Sequence, residues 1–159
     1  MDNQHAPPEN ESVAFPKTRF YSRGQVAWAS FLGGPIGGCL LLALNYRRLG
    51  DSTAANRVLL GGSIVTFLLC AVSCVLPETT PVAWERGVRI GIVCSMFECA
   101  RIWQGKAYEN WLANGGTKGS GWVATGAGIL GCILSAAAAA AVLFALILLG
   151  VVDVDWSEW

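Results

Sequence analysis

Glu98 is the one acidic side chain of this sequence that falls within an apolar stretch long enough to reach membrane depth, and Arg101 stands one helical turn after it. An ionisable group in hydrocarbon is costly, so such a carboxylate is a candidate for binding an ion or relaying a proton. A carboxylate one turn from an arginine can equally be an ion pair on one helix face. A second set, Arg47 and Arg48, closes the first apolar stretch. Two guanidinium groups at that position suit lipid phosphates or an acidic partner, and they also suit simple anchoring of the chain at the interface. No residue here earns a catalytic or metal-binding role, and no cofactor is expected. The single histidine, His5, lies in a polar tail, which removes a histidine-based triad or metal centre from the membrane region. Residues 115–121 are glycine-rich but follow no strand that would make them a phosphate cradle, and Lys118 with Ser120 is too weak a pair for nucleophilic catalysis.

The elements that must carry these residues are apolar. Hydrophobic residues make up 53% of the 159 and charged residues 14%, well below the roughly 25% charge of a soluble domain. Eleven basic residues balance eleven acidic ones, so net charge gives no reason to expect a nucleic-acid partner. Cys39, Cys70, Cys74, Cys94, Cys99 and Cys132 all sit in apolar stretches without metal-site spacing and read as free thiols.

The length suits a single membrane domain at 17–152, between a flexible polar tail at 1–16 and a short acidic tail at 153–159. Four helical blocks are expected inside it, at 24–44, 58–76, 82–113 and 122–152. Residues 58–76 and 122–152 carry no charge and exceed the length needed to cross about 30 Å of hydrocarbon. Gly50 suits a helix C-cap, Asp51 or Ser52 an N-cap, and Asn114, Gly115 and Gly116 a stop, with 117–121 a flexible polar loop. Trp84, Trp103, Trp122 and Trp156 fall at block ends, where amphipathic rings favour the headgroup layer.

The first block is broken in the middle, at Phe31-Leu32-Gly33-Gly34-Pro35-Ile36-Gly37-Gly38. Proline removes a backbone donor, and its ring collides with the carbonyl four residues back. The block is therefore either a kinked span or a re-entrant hairpin, and loop charges separate the two. With four spans, six basic residues share one side and five the other. With a hairpin, Lys17, Arg19, Arg23, Arg47, Arg48, Arg57, Arg101, Lys106 and Lys118 share one side, against Arg86 and Arg89. The positive-inside rule favours the hairpin with a cytoplasmic N-terminus. The expected fold is an all-α integral membrane protein with three transmembrane helices plus a broken or re-entrant N-terminal helical hairpin, with four spans as the alternative. A lipoprotein signal ending at Cys39 is disfavoured by the apolar residues that follow it.

Small residues recur at four-residue spacing: Ala29, Gly33 and Gly37; Ser30, Gly34 and Gly38; and, in the last block, Ala127, Gly131, Ser135 and Ala139. Such stripes let helix backbones approach closely. Gly33, Gly34, Pro35, Gly37, Gly38, Gly131 and Ser135 are thus candidates for helix packing within the chain or for contact with a partner. The partners to expect are the bilayer and either a homo-oligomeric copy or another membrane protein.

The FLGGP block at 31–35, Asn45-Tyr46-Arg47-Arg48-Leu49-Gly50, Leu76-Pro77-Glu78, Gln104-Gly105 and Gly115-Gly116 together resemble a family of small bacterial multi-pass inner-membrane proteins with an FLGGP…N-Y-R-x-L-G motif. The resemblance implies a location in the bacterial inner membrane and supplies no activity; Arg89 and Glu98 have no counterpart in it. The functional expectation is a non-enzymatic membrane protein that packs with or regulates a partner. A small channel or transporter subunit using the broken helix and Glu98 is the alternative.

Overall fold

A computed structural model describes residues 19–76 and 81–151; the two tails and the turn at 77–80 lie outside the described residues. The protein is all-α: α1 Arg23–Arg48, α2 Ser52–Val75, α3 Val82–Ala113 and α4 Gly121–Leu148. By length and composition alone three of these, α1, α2 and α4, would cross a membrane, with mean hydropathies of 1.6, 1.9 and 2.5; the course of the α1 backbone decides otherwise for α1. α3, which carries Glu85, Arg86, Arg89, Glu98 and Arg101, is not among them.

α1 is helical on both sides of one residue. Gly34, at φ 64° and ψ −160°, takes a backbone conformation open essentially to glycine alone, immediately before Pro35. The chain reverses there. A straight helix would hold residues 21 and 45 about 36 Å apart. Instead the Tyr21 N–H donates to Asn45 Oδ1 at 2.9 Å, and Asn45 Nδ2 donates to the Tyr21 carbonyl at 2.9 Å. Halfway up, a methyl placed on Gly37 would stand 2.5 Å from the Ala29 carbonyl oxygen, and one on Gly38 would stand 3.3 Å from Ser30 Cβ. α1 is therefore a hairpin with legs at 23–33 and 35–48, about 16 and 21 Å long, and neither leg reaches across a hydrocarbon core. The four-span alternative fails on this geometry.

Ser22 opens the first leg as a capping box with Gln25. The second leg ends at Arg48, four residues past the expected block, and Gly50, φ 81°, turns the chain away. Asp51 then caps α2, its carboxylate accepting from the Ala54 N–H at 2.8 Å. α2 begins at Ser52 rather than 58 because the Asp51 cap starts it there, and its polar opening, Ser52 to Arg57, is harmless at a membrane surface. α3 spans the expected 82–113 and stops at Asn114 and Gly115, φ 78°. α4 ends at Leu148 because Gly150 turns the chain at φ 67°.

α1 is the hub. It packs against all three other helices, α2 also meets α4, and among the described helices α3 packs against α1 alone. Within α1 61% of the apolar window is buried in the protein, against 11% for α2 and for α4. Broken backbone at membrane depth is tolerable only when covered by protein, and α1 is the covered element. Its mouth, where Tyr21 meets Asn45, defines a base; α2 leaves the base, α3 returns to it and α4 leaves again. Arg19, Arg23, Arg47, Arg48, Arg57, Arg101, Lys106 and Lys118 gather toward the base, while Arg86 and Arg89 stand at the far end of α3. A reporter joined after Gly50 should therefore face the same side as one joined before residue 19. Opposite sides in a fusion or cysteine-labelling assay would overturn the hairpin.

Candidate functional site

The base is closed by a buried amide network. Asn45 and Gln104 are 1% and 3% exposed, in a chain whose interior offers few other polar groups. Besides its two bonds to the Tyr21 peptide, Asn45 Nδ2 donates to Gln104 Oε1 at 2.8 Å, and Gln104 Nε2 donates to the Leu42 carbonyl at 3.0 Å. The Asn45 side chain pairs with Tyr21 much as a neighbouring peptide would, joining both legs, and Gln104 extends the joint to α3. Polar groups this deeply buried are stable only when their partners are complete.

Around this joint the entry strand and the α3–α4 loop interlock. Phe20 N–H donates to the Thr117 carbonyl at 3.2 Å, and Gly119 N–H donates to the Phe20 carbonyl at 2.8 Å. Gln25 Nε2 reaches the Gly119 carbonyl at 2.7 Å. Gly119 lies against the Tyr21 ring with no room for a side chain, and Phe20 packs against Tyr108 and Trp111. The 117–121 segment, expected to be a flexible polar loop, is held by backbone pairing that spacing along the sequence does not reveal.

Arg47 and Arg48 part company. Arg48 lays its guanidinium over the Tyr21 ring, 4.7 Å from the centroid, with Nη2 3.4 Å from the Tyr21 hydroxyl and Nη1 buried. Arg47 is exposed on the opposite side, at the end of a groove of about 390 Å³ between α2 and α4. A smaller polar pocket of about 200 Å³ lies beside the closure, between Tyr21, Arg23, Gln104, Tyr108 and Glu109.

The small residues meet inside the chain. Gly33, Pro35, Gly37, Gly38 and Gly131 are buried, and Gly34 and Ser135 are half-buried. The Ala29–Gly37 and Ser30–Gly38 pairs, which a continuous helix would place on one face, instead oppose each other across the hairpin. Gly131 closes on the turn, where a methyl would come 2.6 Å from Gly37 Cα. Ser135 Oγ donates to the Gly33 carbonyl at 3.3 Å, satisfying an acceptor next to the break. Gly33, Gly34, Gly37, Gly131 and Ser135 seal the hairpin against α4, while Gly38 lies against Ser30 and Met96 of α3.

Glu98 and Arg101 are paired at 2.7 Å, with side chains 46% and 56% exposed. The pair is half-exposed, on a helix that packs against no other helix than α1 among the described residues. Along the same outward side run Gly87, Gly91, Cys94 and Ser95, all exposed, and a methyl on Gly87 or Gly91 would meet nothing within 4 Å. Charges at 85, 86 and 89 interrupt this stripe and hide it in the sequence. All six cysteines are free, and no three His, Cys, Asp or Glu side chains converge among the described residues.

Comparison with protein-family models, curated proteins and solved structures gave no match. The function must be argued from the site itself.

Proposed function

We propose that this is a non-enzymatic multi-pass protein of the bacterial inner membrane, with a cytoplasmic base, that packs with or regulates a partner through α3. The observation that supports this reading is the exposed Glu98–Arg101 pair on a helix whose one helical neighbour among the described residues is α1. The pair lies one to two turns above Gln104, and Gln104 is level with the hairpin mouth. Glu98 stands about 9 Å above that level, where a facing protein surface would hold its charge better than lipid tails would. The open Gly87–Gly91–Ser95 stripe would let a second helix approach closely. The gathering of basic residues at the base agrees with a cytoplasmic N-terminus. The resemblance to the FLGGP family agrees with a bacterial inner membrane. A channel or transporter role has less support, because Glu98 faces outward and any path using it would have to run between molecules.

Cys94, on the same side of α3, supplies the test. With the other five cysteines replaced by Ala, a short bifunctional maleimide in intact membranes should give a Cys94 adduct of discrete mass. Twice the chain mass would indicate a second copy, and another mass a different protein. Gly91→Leu should remove most of the adduct while leaving insertion intact, because that position is open. Absence of an adduct, or one indifferent to Gly91→Leu, would sink the reading.

A further inference from the structure

From the groove that ends at Arg47, we infer a binding site for one anionic phospholipid, its acyl chain lying between α2 and α4 and its phosphate on the Arg47 guanidinium. α2 and α4 meet where Cys70 Sγ approaches the Ser135 carbonyl at 3.9 Å. Nearer the base a groove separates them, floored by Leu40 and Leu44 of the second hairpin leg and walled by Leu59 on one side and Val123 and Leu130 on the other. Arg47 is the one charged residue lining it, and it stands at the base, the level expected of headgroups. No carboxylate neutralises it: the single ion pair among the described residues is that of Glu98 and Arg101. Arg57, two residues before Leu59, is exposed at the same end of α2.

The occupant follows from this combination. A protein helix would fill an apolar groove along its whole length, but would need a carboxylate placed opposite Arg47 as well. A free phosphate would satisfy Arg47 and leave the apolar walls uncovered. A phospholipid with a net negative headgroup matches both ends, and the bilayer supplies it beside the groove. The hairpin creates the site: because α1 turns back at Gly34, its second leg forms a floor between two spans, and Arg47 finishes that floor at the membrane surface. The inference depends on the membrane setting alone and not on the α3 interface.

Gly126 gives a clean test. It lines the groove, it is exposed, and a methyl there meets nothing within 4 Å, so Gly126→Leu should fill the groove without disturbing the fold. The full chain would be equilibrated with vesicles of phosphatidylglycerol and phosphatidylcholine in equal amounts and then examined by native mass spectrometry. The wild type should retain one lipid, predominantly phosphatidylglycerol. Arg47→Ala should lower that preference about fivefold, the scale of one basic residue acting on an anionic headgroup. Gly126→Leu should lose retention of both lipids with an unchanged melting temperature. Arg86→Ala, at the far end of α3, should behave as wild type. Equal retention of the two lipids by the wild type would overturn the site. So would Gly126→Leu retaining lipid normally, or an Arg86→Ala loss matching that of Arg47→Ala, which would reduce the effect to overall charge.

Discussion

Gly33→Leu is expected to prevent assembly of the membrane domain, not merely to weaken it. A first side-chain carbon at Gly33 would collide with the Gly128 carbonyl oxygen and stand 2.9 Å from Gly131 Cα and 3.0 Å from the Cys132 nitrogen. All three are backbone atoms of α4, so no side chain can swing aside and the whole helix must move. Inserting extra carbon into a packed core costs about 1–3 kcal/mol where neighbours can relax; against rigid backbone the cost should exceed the upper figure. Retreat of α4 would also strip the Gly33 carbonyl of its hydrogen bond from Ser135 and uncover the turn to lipid. Thermal unfolding and protease resistance in detergent would report the loss, with Gly61→Leu, at an exposed position where an added methyl meets nothing within 4 Å, as the control that keeps the wild-type profile. A Gly33→Leu protein as stable as the wild type would show that α1 and α4 do not meet there.

Asn45→Leu should be the most damaging change of similar size at the base. It leaves the Tyr21 N–H, the Tyr21 carbonyl and Gln104 Oε1 buried without their partner. Each orphaned buried group costs about 1–3 kcal/mol, so the total should exceed about 3 kcal/mol and open the hairpin mouth. Gln104→Leu should cost less, because the Asn45–Tyr21 pairing survives and only the tie to α3 is lost. The two changes share one hydrogen bond and should not add; a thermal-melt cycle of both singles and the double would show the shortfall. If Gln104→Leu cost as much as Asn45→Leu, α3 would be the main support of the base.

Much of this architecture can be read from residue order. Pro35 among four glycines announces the break, and the loop charges turn the break into a reversal. Asp51, Gly50 and Gly115 mark helix ends by the backbone conformations they favour. What the chain hides is who meets whom after the reversal. Helical spacing places Ala29, Gly33 and Gly37 on one stripe, but the turn at Gly34 makes Ala29 and Gly37 opposite each other. Asn45 and Gln104 lie 59 positions apart, and no periodicity connects them. The available signal was chemical: two uncharged amides at the edges of apolar blocks, each needing a buried partner. Arg47 and Arg48, adjacent and alike in the sequence, take opposite sides because successive helical residues point about 100° apart.

The interlock of Phe20 with Thr117 and Gly119 also bears on how the protein is made. A ribosome delivers the hairpin first, yet its covering surfaces on α3 and α4, including Ser135 and Gln104, emerge last. Until then the segment has a broken backbone, too short in each leg to cross and too apolar to remain in water. It must wait at the membrane surface or in the care of the insertion machinery while α2 crosses first. The hairpin is thus made before the helices that cover it and finished only after them, and a nascent chain stalled before Gly121 should still have its hairpin open to chemical labelling.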